Sequence, residues 1–218
     1  MSVAGLIVVV ASAVGAVAPG VYRLDVEVIA VAAVPVMGAQ RTVTKTTSLL
    51  EVDEQGIATA RACRVETRGP GFSSRMPPTS LRGLPASRFT LWQEGAVVRA
   101  DMGEGTIGYR GTGPIPSSPD DPRVIDPDGD GKPGLQLLLD VGAFGVWTLQ
   151  VVSRGHTALR GTVTPTGVEG TLTLVESEEQ VISGLPVKLP SRTTAIDPGA
   201  CRFSLTPVRR GDESFCAW

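Results

Sequence analysis

The chain predicts an antiparallel all-β fold, a barrel or a sandwich of about nine to eleven strands joined by long Pro/Gly-rich loops. Three observations carry that expectation. Residues 21–28, VYRLDVEV, alternate cleanly, with Tyr22, Leu24, Val26 and Val28 on one face and Arg23, Asp25 and Glu27 on the other. That period of two marks a half-buried strand. Similar runs recur at short spacings, separated by Gly, Pro, Asp and Ser. No stretch shows the 3.6-residue apolar period of an amphipathic helix.

The elements follow in order. RTVTKTTSLLEV (41–52) is rich in threonine, whose β-branching favours strands, and DEQG (53–56) makes a turn into IATARACRVET (57–67). Residues 68–87 carry four prolines and read as a loop with one helical turn after Pro78. FTLWQEGAVVRAD (89–101) is a hairpin turning at Glu94-Gly95, and the Gly/Pro/Ser-rich segment 103–122 is a long loop. Strands resume at LQLLLD (135–140), GVWTLQVVSR (145–154), TALRGTVT (157–164) and GVEGTLTLVESEEQV (167–181). The neighbourhood of His156 reads as a turn between two of these. After a further loop, CRFSLTPV (201–208) is the final strand.

With 218 residues, 42% hydrophobic and 19% charged, the chain suits one globular domain of moderate size. Residues 20–218 are read as that domain. The first 19 residues read as a signal peptide or its remnant: an uncharged apolar run from Val3 to Ala18 ends in the small residues Ala16-Val17-Ala18. No basic residue precedes the run, and Pro19 follows the cleavage position. The expected location is therefore secreted, periplasmic or cell-envelope. A second apolar run, VIAVAAVPVMG (28–38), is too short to span a bilayer and reads as core.

A net charge of −2 with no basic stripe gives a nucleic-acid or membrane-surface role no electrostatic support. Lysine occurs only at 45, 132 and 188, and asparagine is absent, a bias expected of a GC-rich genome. Export makes the three cysteines, Cys63, Cys201 and Cys216, one disulfide and one leftover thiol. Cys201–Cys216 and Cys63–Cys201 are the pairings considered, against three small buried hydrophobes.

Catalytic signals are missing. The single histidine, His156, has no G-x-S-x-G elbow to serve, and no H-E-x-x-H, Walker or dinucleotide loop occurs. Glu176, Glu178 and Glu179 read as a solvated strand end. Aromatics make up only 5% of the chain, and Trp92 and Trp147, each in an apparent strand, are expected to be buried.

One stretch points to a cation. In VIDPDGDGKPGLQLLLD (124–140), Asp126, Asp128 and Asp130 alternate, and Gly131 follows. Alternate carboxylates on a tight loop converge on one centre, as a hard cation such as Ca²⁺ requires. Without a cation they repel one another. The plain alternative is an acidic turn, for which Asp and Gly are the usual residues. Over about twelve residues the stretch resembles the calcium loops of EF-hands, dockerins and thrombospondin type 3 repeats. It is closer still to FG-GAP repeats, in which such a loop leads into a short apolar strand. The resemblance implies a structural Ca²⁺ held by Asp126, Asp128, Asp130 and the backbone carbonyl of Lys132. The last EF-hand position is Leu137 and the ninth is Gly134. The remaining ligands are therefore expected from Asp120, Asp121, Asp140 or water.

These readings converge on an exported, non-enzymatic β-domain with a calcium loop, binding a small or apolar ligand or a surface partner. The alternatives are a structural or adhesion module of the cell envelope and, less favoured, a hydrolase with an unrecognised site. In composition and layout the chain resembles uncharacterised exported β-rich bacterial proteins.

Overall fold

The computed structural model describes residues 17–34, 38–184, 192–193, 195–197 and 199–216. Most of the segment read as a signal peptide, the Pro35–Met37 stretch of the second apolar run and Trp218 lie outside them. Among the described residues twelve strands form one sheet. They are β1 (Gly20–Val34), β2 (Gly38–Val52), β3 (Ile57–Gly69), β4 (Phe72–Arg75), β5 (Ser87–Glu94), β6 (Val97–Ile107), β7 (Leu135–Asp140), β8 (Val146–Thr164), β9 (Gly167–Ser183), β10 (Arg192–Thr193), β11 (Ala195–Ile196) and β12 (Arg202–Val208). One short helix, α1 (Pro78–Gly83), supplies the helical turn expected after Pro78.

Every pairing is antiparallel, and the pairings close on themselves. They run β1–β2–β3–β5–β6–β8–β9–β12 and back to β1. The result is a barrel-like ring, which leaves no free edge along this path. Below β5 and β6, the strands β4 and β7 close the same gap between β3 and β8. The ring is therefore built in two tiers that share the long strands β1, β2, β3, β8 and β9.

Side chains alternate as the sequence predicts. Tyr22, Leu24, Leu50, Ala58, Phe89, Leu91, Val98, Leu159, Leu172, Phe203 and Leu205 fill the upper tier, with Val26 and Val28 packed against them. Leu135, Leu149 and Val151 form the lower core, against which Leu137, Leu139, Ile107 and Leu84 pack. Charged residues of β1, β2 and β3 stand on the outer wall and pair there: Arg23 with Asp25, Lys45 with Glu27, Arg64 with Glu66. A barrel that faces lipid along its wall shows the reverse pattern. No helix among the described residues is long and apolar enough to cross a membrane.

The structure corrects several local expectations. The predicted turn at His156 does not exist: β8 runs unbroken from Val146 to Thr164, and a bulge at His156/Thr157 absorbs the irregularity. The proline-rich segment after Arg68 contains β4, a short strand with ladder partners on both sides. The loop after β9 contains the two-residue strands β10 and β11. Trp92 and Trp147, expected to be buried, are 54% and 36% exposed. The disulfide joins Cys63 to Cys216, and Cys201 is the buried free thiol, so neither pairing weighed from the sequence holds. Cys63 lies on β3 and Cys216 on the 3-10 turn Ser214–Cys216, an approach across 153 residues that linear spacing does not reveal.

Candidate metal centre

Between β6 and β7 the chain leaves the ring and crosses its outer side as residues 108–134. Ile115 and Val124 anchor the crossing on Val152 and Ile182, together with the buried ring of Tyr109. Arg123 stitches its first half: the guanidinium donates to the Asp121 carboxylate and to the carbonyls of Thr112 and Pro114. These bonds hold the Asp121 carboxyl far down, at about 2, and the Arg123 backbone amide adds to the effect. The second half is a small lobe. The Gly134 amide donates to the Ile125 carbonyl at 2.7 Å, closing residues 126–133 into a loop.

That lobe holds the three aspartates. One carboxylate oxygen from each of Asp126, Asp128 and Asp130 lies within 4.8 Å of the others. Asp126 organises the loop: its Oδ1 accepts from the amides of Gly129 and Asp130, and its Oδ2 from that of Gly131. Gly129 and Gly131 take positive φ values of 67° and 80°, which lets their amides point inward at one carboxylate. Desolvation pushes the Asp126 carboxyl up, but hydrogen bonds from the backbone amides of Gly131, Gly129 and Asp130 outweigh it and hold the group below the ordinary range.

Asp128 ties the loop to the rest of the fold. Its Oδ2 accepts from the Ser80 hydroxyl of α1 at 2.6 Å and from the Gln136 amide of β7 at 3.2 Å. α1 comes this close because residue 83 is glycine; any side chain there would collide with the Pro127 carbonyl. The other oxygen, Asp128 Oδ1, is buried and has no hydrogen-bond partner. Asp130 Oδ1 accepts from the Lys132 amide, and its Oδ2 accepts from the side-chain amides of Gln136 (3.0 Å) and Gln150 (3.2 Å). Gln150 projects from β8, is only 2% exposed, and its Oε1 is also without a partner. An open cleft of about 360 Å³ between α1 and the loop reaches Asp126 and Asp128, so water has access.

The structure thus brings Asp126, Asp128 and Asp130 together. Asp140 lies at the far end of β7, where its carboxylate accepts from the Gly142 amide. Asp121 is committed to Arg123. Lys132 contributes its amide to Asp130. Ser80, Gln136 and Gln150 were not singled out in the sequence. Gln150 carried the one available signal, a lone amide inside the uncharged run TLQVV.

The lone histidine is no part of this centre. His156 Nε2 sits 2.6 Å from Asp101 Oδ1 across the β6–β8 pair, and the Gly103 amide and the ring together hold the Asp101 carboxyl down. Comparison with family models, with curated proteins and with solved structures finds no match.

Proposed function

We propose that the protein is an exported, non-enzymatic β-barrel module stabilised by a calcium ion in the Asp126–Asp130 loop, and that it works through its outer surface as a structural or adhesion element. One observation carries the calcium reading: three convergent carboxylates share their lobe with two buried oxygens, Asp128 Oδ1 and Gln150 Oε1, that have no partner. Calcium takes six to eight oxygens, with carboxylates, amide carbonyls and water in flexible proportion. Rotation of the Gln150 amide, which swaps its oxygen and nitrogen, presents Oε1 to the same centre. The ion's role is structural, because its ligands tie four elements together: the crossing loop, α1 through Ser80, and β7 and β8 through Gln136 and Gln150.

Two further observations support the rest. The cavity lined by Leu24, Leu50, Phe89 and Phe203 inside the upper tier measures about 10 Å³, room for at most one water. A filled interior favours an outer working surface over capture of a small apolar ligand. The Cys63–Cys216 disulfide suits an oxidising compartment, in keeping with export.

Thermal unfolding of the full chain in millimolar calcium and in chelator tests the centre, alongside an Asp128→Ala/Asp130→Ala variant. Occupancy at a hundredfold excess over Kd adds about 2.7 kcal/mol. The expected result is a calcium-dependent rise in Tm that the variant lacks. Identical melting of the native chain in both conditions returns the lobe to an acidic turn.

A further inference from the structure

Among the described residues, the two ends of the ring differ in chemistry. At the upper end the described turns are polar or charged: Asp53-Glu54-Gln55-Gly56 between β2 and β3, Glu94-Gly95-Ala96 between β5 and β6, and Pro165-Thr166 between β8 and β9. At the lower end the β7–β8 connection reads VGAFGVW, and no charged residue occurs from Val141 to Ser153. Its apolar side chains face solvent: Phe144 is 81% exposed and Val146 61%, with Trp147 beside them at the mouth of the ring. Gly69-Pro70-Gly71-Phe72, the β3–β4 turn, lies on the same side, since Ser73 pairs with Asp140.

Four backbone amides of the tip are satisfied within it. The Val141 amide donates to the Gly145 carbonyl, Gly142 to the Asp140 carboxylate, Phe144 to the Val141 carbonyl and Gly145 to the Gly142 carbonyl. A turn so closed enters an apolar medium without stranding those donors, the condition that hydrocarbon imposes on any backbone. Above it the outer wall carries arginines. Arg41 on β2, Arg68 on β3 and Arg75 on β4 are solvent-exposed and near this end; register places Arg75 opposite Leu138 and Arg68 opposite Ser73, and the one acid among them, Glu66, sits opposite Arg75 and 4.0 Å from Arg68. The composition of the whole chain shows no basic stripe; the fold collects these three.

We propose that this end docks on an anionic lipid surface. Phe144, Val146 and Trp147 enter the boundary between headgroups and acyl chains, and Arg41, Arg68 and Arg75 meet the phosphates. A protein partner of ordinary affinity needs a broad face of about 800 Å². A narrow projection whose apolar, aromatic tip carries no charge beyond Asp140, beneath a wall on which Arg41, Arg68 and Arg75 outnumber Glu66, instead has the form of an interfacial anchor. The inference does not depend on the calcium centre, and its test is run in chelator.

The test is co-sedimentation of the full chain with vesicles of phosphatidylcholine alone and of equal parts phosphatidylcholine and phosphatidylglycerol. Binding to the mixed vesicles is expected, and Phe144→Ser/Val146→Ser should weaken it by roughly tenfold or more. Both positions are exposed, and circular dichroism checks that this variant folds. Arg68→Glu/Arg75→Glu should abolish the preference for anionic vesicles. In single-tryptophan proteins, brominated lipid should quench Trp147 and leave Trp92, at the opposite end, in water. Absence of binding to either vesicle, binding indifferent to the Phe144 and Val146 changes, quenching of Trp92 instead, or a tip-dependent dimer in place of vesicle binding would each overturn the proposal.

Discussion

The upper tier of the ring and the crossing loop at residues 108–134 are held by different physics. The tier buries leucine, valine and phenylalanine from opposing strands, leaving almost no cavity. Such packing is insensitive to salt, acid or chelator. The lobe of the crossing buries little and is held by carboxylates that accept from backbone amides, from Ser80 and from two glutamines. The difference shows that this small fold carries two stabilities: one set by apolar volume, the other by the charge state and occupancy of a few oxygens.

The largest expected effect comes from breaking the apolar side. Leu50→Ala should lower unfolding free energy by about 2–5 kcal/mol, because a filled core collapses poorly around a cavity. Denaturant titration checks this, and the calcium response should persist in the variant. Next comes the polar side. Asp128→Ala leaves the Ser80 hydroxyl and the Gln136 amide without their acceptor, an expected loss of about 1–3 kcal/mol in chelator. If the variant were instead more stable, repulsion among the carboxylates would outweigh these bonds.

The smallest effect is on acid sensitivity. Asp121 and Asp126 are both held below the ordinary carboxylate pKa, so their stabilisation is present above that value and is lost as pH falls through the depressed one. For Asp121 the window runs from 3.8 down to about 2. Hydrogen exchange at the Arg123 amide should accelerate across that window while amides of β1 and β2 stay protected. Asp121→Asn should remove the pH dependence and leave the exchange fast throughout. Simultaneous loss of both regions would mean that the crossing does not open independently.

The β class was legible because it depends on local alternation, and β1, β2, β3 and β5 to β7 lie close to where their residue patterns put them. Non-local pairing was not legible. β4 has only four residues, and its stability comes from neighbours at β3 and β7. Gly155-His156 resembles a turn in isolation, yet partners on both sides hold it extended. At the centre, the three aspartates were visible as a run, whereas Ser80 and Gln150, from α1 and β8, are brought to them only by the fold. Trp92 and Trp147 misled because strand membership does not say which end or face a ring occupies.

The closure of the ring also sets an order of assembly. β12 is inserted between β1 and β9, so one edge of the first described strand, which β11 covers only at Ala30 and Val31, finds its main neighbour only when residues 202–208 exist. Until then β1 presents an unpaired edge to any other chain, and contacts that span nearly the whole sequence form slowly. A chain that emerges from the ribosome or a translocon one segment at a time must keep that edge shielded. A cut before Arg202 would expose two edges at once, and the expected fate is strand exchange between copies and aggregation.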